Sequence, residues 1–219
     1  MYAPIFVSAT NTEIGKTTIA KELAGLCNHQ GIKTLLVKPI ETGINANQEH
    51  SDASIFLEEN LKIDNTLELS DISFYRYVLG ASPFVAARFE PHLPPIDFKV
   101  IEHKLDKLQK HCDLLIIEGV GGLLVPLDEK TKVVDLVLHL KAKLLLVASD
   151  RLGTLNDLLL NHNYLIAHKI PCHTTINMQD KRLYYQINKP FIDHYNATLK
   201  EPISIFQEHA QILLDRLLA

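Results

Sequence analysis

An α/β fold, in which a mostly parallel, doubly wound sheet carries helices on both faces, is predicted by three observations on this 219-residue sequence. Apolar runs of strand length alternate with segments of helical period. Two of the runs, Leu114-Leu115-Ile116-Ile117 and Leu144-Leu145-Leu146-Val147, are apolar without alternation, as central strands covered on both sides are. The turns after the runs gather glycines, lysines and acidic residues, and ligands collect beyond the carboxyl ends of strands in such sheets. The length and the 47% hydrophobic content fit a single domain spanning residues 1–219.

The elements follow in order. Residues 4–7 form the first strand, and a helix over 17–29 ends before Gly31, a glycine placed for a C-terminal cap. Residues 34–37 form the second strand. Ser51-Asp52 caps a helix that starts at Ala53, and the proline-bearing stretch 83–95 carries a helix near 84–89 and then a turn. A helix over 98–111 leads to the strand 114–117, a helix over 133–140 to the strand 144–148, and a helix over 155–168 to the strand 172–176. Residues 203–218 read as a closing amphipathic helix.

Composition excludes several classes. A formal charge of −4 leaves no overall basic surface, so nucleic acid is not an expected partner. Cys27, Cys112 and Cys172 are odd in number and far apart, which fits a reducing cytoplasm rather than a disulfide framework or a zinc knuckle. Neither a signal segment nor a membrane span is expected. The histidines, His50 among them, show no i, i+4 pairing, so they do not read as metal ligands. No Gly-x-Ser-x-Gly elbow occurs.

The chemistry begins with Ala9-Thr10-Asn11-Thr12-Glu13-Ile14-Gly15-Lys16-Thr17, which follows a strand and opens a helix. In that context successive N–H groups and the helix N-terminus cradle phosphate, Lys16 reaches the terminal phosphates, and the Thr17 hydroxyl is placed for Mg²⁺. The strict phosphate-loop pattern has glycine where this chain has Thr10, so the loop is longer by one.

Three other strand ends carry polar residues. After the second strand, Lys38 is either a surface lysine or one turned toward the phosphates as a fixed positive charge, with Pro39 stiffening the turn. Glu118 follows four apolar residues, the place for an acidic Mg²⁺ ligand, and Gly119, Gly121 and Gly122 behind it permit close backbone approach. Asp52, at a helix start, is either a cap or a ligand.

Together these segments resemble dethiobiotin synthetases. The family's Gly-Thr-Asp-Thr-x-Val-Gly-Lys-Thr is similar to residues 9–17, with Ala9 and Asn11 departing from it. Its Lys-Pro resembles Lys38-Pro39, its Ser-Asp-Ala resembles Ser51-Asp52-Ala53, and its Glu-Gly-Ala-Gly-Gly resembles Glu118-Gly119-Val120-Gly121-Gly122. Its Leu-Gly-x-Ile-Asn resembles Leu152-Gly153-Thr154-Leu155-Asn156, and Asn177 resembles its adenine-contacting asparagine.

The resemblance implies an ATP-dependent enzyme that joins CO₂ to 7,8-diaminopelargonic acid and closes the ureido ring, giving dethiobiotin, ADP and phosphate. It implies nucleotide contacts from Glu13, Ile14, Gly15, Lys16, Thr17, Thr18, Asp52, Glu118, Gly119, Val120, Gly121 and Asn177, and Mg²⁺ at Thr17, Asp52 and Glu118. Lys16 and Lys38 are the implied catalytic residues. Thr12, Lys38, Thr42 and Gly121 would position the substrate, with Gly153, Thr154, Leu155 and Asn156 of a partner subunit taking its tail carboxylate in a homodimer. The family's later Gly-x-Ile-Pro segment has no counterpart at residues 200–204, and the polar residues 178–182 read as mobile, so loose discrimination between nucleotides is expected. A partition-type nucleotide-switch ATPase is the alternative on the same fold. Its signature lysine early in the loop is Asn11 here.

Overall fold

The computed structural model describes residues 2–44 and 51–219, so His50 lies outside the described residues. The chain runs β1 (Ile5–Ala9), α1 (Lys16–His29), β2 (Thr34–Val37), β3 (Ile40–Thr42), α2 (Asp52–Asn60), α3 (Leu69–Ile72), β4 (Tyr75–Tyr77), α4 (Pro83–Phe89) and α5 (Phe98–Leu108). It continues through β5 (Leu114–Gly122), α6 (Val133–His139), β6 (Lys143–Ser149), α7 (Thr154–Ala167), β7 (Cys172–Asn177), α8 (Lys181–Leu183), α9 (Lys189–Asn196), β8 (Ser204–Ile205) and α10 (Phe206–Leu218).

Six strands form one sheet in the order β2-β5-β1-β6-β7-β8, and all its pairings are parallel. The chain leaves β1 toward one edge and later returns to its other side, so the sheet reverses direction at β1, where ligands bind in such folds. β5 is buried from Leu114 to Val120 and β6 from Leu144 to Ala148, as their unbroken apolar runs require. Leu23 and Cys27 of α1, Ile101 of α5, Val137 of α6 and Leu214 of α10 pack into the same core, each such side chain contributing about 1.5–3 kcal/mol of burial. No helix among the described residues is long and apolar enough to cross a membrane.

Most expected elements form within a residue or two of their predicted bounds, and three differ for identifiable reasons. β5 does not stop before Glu118 but runs on to Gly122. Its pairing with β1 slips there, from Val7 opposite Glu118 to Ala9 opposite Gly122, so the glycines form a bulge at the strand end. Residues 203–218 are not one helix, because Ser204 and Ile205 pair with Thr175 and Ile176 and extend the sheet before α10 begins. Residues 178–182, read as mobile, are pinned: Asp150 Oδ2 accepts from the N–H groups of Gln179 and Asp180 at 2.7 and 2.6 Å, and Asp180 caps α8. The small parallel pair β3–β4 carries no length of apolar sequence that would announce it.

Candidate active site

The phosphate loop joins the end of β1 to α1. Gly15 is left-handed (φ 90°), and a Cβ there would meet Asn177 Nδ2 at 2.2 Å, so this position demands glycine twice over. α1 starts with neither a side-chain cap nor an acidic residue in its first turn. Its first N–H groups and positive end are thus left for an anion.

Lys38 is the centre of the site. It sits one residue past β2, where its own N–H donates to the Ile72 carbonyl, and its side chain is 5% exposed rather than on the surface. Its Nζ donates to Glu118 Oε1 at 2.5 Å, to Asp52 Oδ2 at 3.0 Å and to the Gly119 carbonyl at 3.2 Å. Thr17 Oγ1 lies 2.9 Å from Asp52 Oδ1 and 3.3 Å from Glu118 Oε1. Ser51 is the cap of α2, accepting from the Ser54 N–H, so the Asp52 carboxylate is left for the site.

The charges are set by burial against mutual attraction. Burial opposes the Lys38 charge, but Glu118 and then Asp52 more than offset it, and the ammonium titrates above the ordinary lysine value. Burial lowers Lys16, with Glu118 opposing and Lys38 adding to the shift. At Asp52 burial acts upward, yet Lys38 and the Thr17 hydroxyl hold the carboxyl below its ordinary value. Glu118, 1% exposed, is pushed up by burial against the pull of Lys38.

An open cleft of about 400 Å³ collects most of the expected residues. Thr12, Glu13, Ile14, Gly15, Lys16, Thr17 and Thr18 line it from the loop and α1. Lys38, Thr42, Glu118, Val120 and Gly121 line it from the neighbouring strand ends, and Asp52 from the start of α2. Gly119 touches it only through its carbonyl to Lys38. Asn177 lies behind the loop, its Nδ2 donating to the Ile14 carbonyl at 2.9 Å. Gly153, Thr154, Leu155 and Asn156 start α7 outside the cleft, beside Leu152, which is 88% exposed. Glu41 and Gln179 also line the cleft and were not anticipated. Glu41 belongs to the short β3, and Gln179 to a loop held by Asp150, 29 residues away by sequence.

Among the described residues no group of three His, Cys, Asp or Glu side chains forms a metal cage.

An uncapped helix start beneath a glycine turn, with two lysines beside two carboxylates, defines a P-loop nucleotide-binding protein. The AAA domain family model matches residues 3–205. The ATP-dependent dethiobiotin synthetase of Helicobacter pylori is 43% identical over 96% of this chain and 97% of its own. That of Wolinella succinogenes is 35% identical over 96% and 98%. A plasmid partition protein from Borrelia burgdorferi superposes with a TM-score of 0.54 at 15% identity, covering 99% of this chain and 95% of its own. A ParA family ATPase from Chlorobium tepidum gives 0.52 at 15%, covering 99% and 90%. Those two likenesses are of fold alone, and the partition-type alternative is a distant structural match of that kind. The chain belongs to the ATP-dependent dethiobiotin synthetases, ligases that form carbon–nitrogen bonds.

Proposed function

We propose that the cleft bounded by Lys16, Lys38 and Glu118 takes ATP, CO₂ or bicarbonate and 7,8-diaminopelargonic acid to dethiobiotin, ADP and phosphate, residues 1–219 acting as one domain. The observation that carries this assignment of the site is the buried Lys38 ammonium, poised between Asp52 and Glu118 in the same cleft as Lys16. One substrate amine attacks CO₂ and loses a proton to give a carbamate. A carbamate oxygen attacks the γ-phosphorus of ATP and ADP leaves. The second amine then attacks the carbonyl carbon, phosphate leaves, and the ring closes.

Such a sequence needs positioning and charge neutralisation more than a protein nucleophile. Residues 13–18, with Gly119, Val120 and Asn177 behind and beside them, hold the nucleotide. Lys16 neutralises the bound phosphates and Lys38 the phosphoryl group in transit. Thr12, Thr42 and Gly121 place the diamine and its carbamate.

Thr17, Asp52 and Glu118 would hold Mg²⁺, and the fit is supported by Glu118 Oε2, a buried oxygen with no hydrogen-bond partner among the described residues. Hard oxygen donors of this kind are the set Mg²⁺ prefers, and the ion supplies charge neutralisation on phosphate oxygens when bound.

The helix start at Gly153, Thr154, Leu155 and Asn156 contributes no residue to the lining of its own cleft, which supports a homodimer in which it serves the partner's substrate carboxylate. The enzyme works in the cytoplasm. The test is ADP release with and without diaminopelargonate plus bicarbonate: release that requires both is expected, and equal release without the diamine would sink the proposal.

A further inference from the structure

Glu41 and Arg76 face each other across the two-stranded sheet, as register partners of β3 and β4. Arg76 donates from Nε and Nη2 to Glu41 Oε2 at 3.2 and 3.1 Å, and the two side chains are only 15% and 5% exposed. A buried ion pair of this sort is poor evidence for a stabilising role, since apolar residues of similar size commonly serve a core as well or better. What the pair touches beyond itself is more telling. Glu41 Oε1 accepts from the Ala53 N–H at 3.1 Å, and Arg76 Nη2 donates to Ser51 Oγ at 3.2 Å. Ser51 and Ala53 flank Asp52, the first residue of α2.

We propose that Glu41 and Arg76 are positioning residues: holding the Ala53 N–H on one side of Asp52 and the Ser51 hydroxyl on the other, they aim its carboxylate at Thr17 and Lys38 and so set the affinity of the site for its divalent cation. Asp52 is 41% exposed at its side chain, far more open than Lys38 or Glu118, so its aim at Lys38 and Thr17 depends on how the start of α2 is held. Glu41 acts on α2 as a cap supplied from another element, satisfying a first-turn N–H that Ser51 does not reach. Arg76 pairs with that cap inside the protein. The separate pair β3–β4 thereby gains a purpose, since it is what brings the two side chains into register over α2.

This rests on the assignment of Asp52 to Mg²⁺ made above. The test is binding of a fluorescent ATP analogue titrated with MgCl₂, alongside binding in excess chelator, for the full chain and its variants. Glu41→Ala is expected to raise the Mg²⁺ concentration at half-saturation by about tenfold, the scale seen when supports of metal ligands are removed. Binding in chelator should stay within about twofold of the parent protein on the same grounds. Glu41→Gln, which keeps an oxygen for the Ala53 N–H, should recover most of the loss, and Arg76→Lys should fall between them. In turnover, kcat should fall while KM for the diamine holds. Should Glu41→Ala fail to fold, Glu41→Gln and Arg76→Lys carry the test. A lowered melting temperature with an unchanged Mg²⁺ titration in the variants would make the pair merely structural and overturn the inference. Mg²⁺-independent binding and turnover by the parent protein would instead remove the cation assignment itself, and the inference with it.

Discussion

Asn177 Nδ2 donates to the carbonyl oxygen of Ile14 at 2.9 Å, tying the end of β7 to the phosphate loop. The other end of the same amide accepts from Gln207 Nε2 at 2.8 Å, which fixes the way it faces. Asn177 is thus a brace for the loop. Asn177→Ala leaves a buried carbonyl without its donor, at a cost of about 1–3 kcal/mol. Equilibrium binding should weaken by about tenfold for ATP and GTP alike, a tenfold change being about 1.4 kcal/mol. A loss confined to ATP would place Asn177 on the base instead.

Lys16→Ala and Lys38→Ala should both abolish measurable turnover, through different steps. Lys16 emerges from the helix start with the bound phosphates, so its loss should show first in nucleotide affinity. Lys38 is held by carboxylates deeper in the cleft, so its loss should spare binding and lower kcat. Removing one group aimed at transition-state charge costs on the order of 3–4 kcal/mol. Near-normal kcat in Lys38→Ala would show that the ammonium does not act on the phosphoryl group.

Glu118→Gln should weaken Mg²⁺ dependence and slow catalysis while the protein still folds. The substituted amide keeps the shape and an oxygen for Lys38, but not the charge that a divalent cation requires. The check is an Mg²⁺ titration of turnover next to a melting curve. An unshifted titration would exclude Glu118 as a ligand.

Much of this site was legible because its chemistry lies in contiguous segments. The loop around Gly15-Lys16-Thr17, the Lys38-Pro39 turn and the Glu118 glycines each announce themselves by residue type just after an apolar run. Lys38 was ambiguous by sequence, because only the approach of Asp52 and Glu118 decides that it points inward. Glu41, Arg76 and Asp150 were not legible as site supports, since each acts through a group distant in sequence that only the fold brings near. One clue existed: a lone arginine between two aromatic residues in Tyr75-Arg76-Tyr77 is the period-two pattern of a short strand. The break of residues 203–218 into strand and helix had a clue as well, since Ile203-Ser204-Ile205 alternates.

His162 makes stability depend on pH outside the active site. It is buried, with Nε2 at 2.9 Å from Thr174 Oγ1 and Nδ1 at 3.2 Å from the Tyr195 hydroxyl, and burial lowers its pKa from 6.5. Well above pH 6.5 the ring is neutral folded or unfolded and imposes no penalty. As pH falls below 6.5 the unfolded chain takes up a proton that the folded one resists, so stability declines until the folded-state pKa is passed. His162→Gln should flatten this decline in melting temperature on the acid side of neutrality. Equal slopes for the two proteins would assign the effect to other groups, such as His173, whose pKa burial also lowers.

Discrimination between nucleoside triphosphates should be weak, because the groups that could read a base edge are already committed. Strong rejection of a wrong base arises only where it leaves buried donors or acceptors unpaired. Past Asn177 the Met178 N–H goes to Gln207 Oε1 at 2.9 Å, and the Gln179 and Asp180 N–H groups go to Asp150 at 2.7 and 2.6 Å. Three successive backbone donors beside the phosphate loop are therefore spent inside the protein. Gln179 lines the cleft, but a primary amide both donates and accepts, so it can turn to suit adenine or guanine. Binding then comes chiefly from the phosphates, which every triphosphate shares. At saturating diamine and bicarbonate, kcat/KM for ATP, GTP and CTP should agree within about tenfold, or about 1.4 kcal/mol. A preference for ATP over GTP above about 100-fold, more than 2 kcal/mol, would require fixed donors and acceptors at the base and would overturn this account.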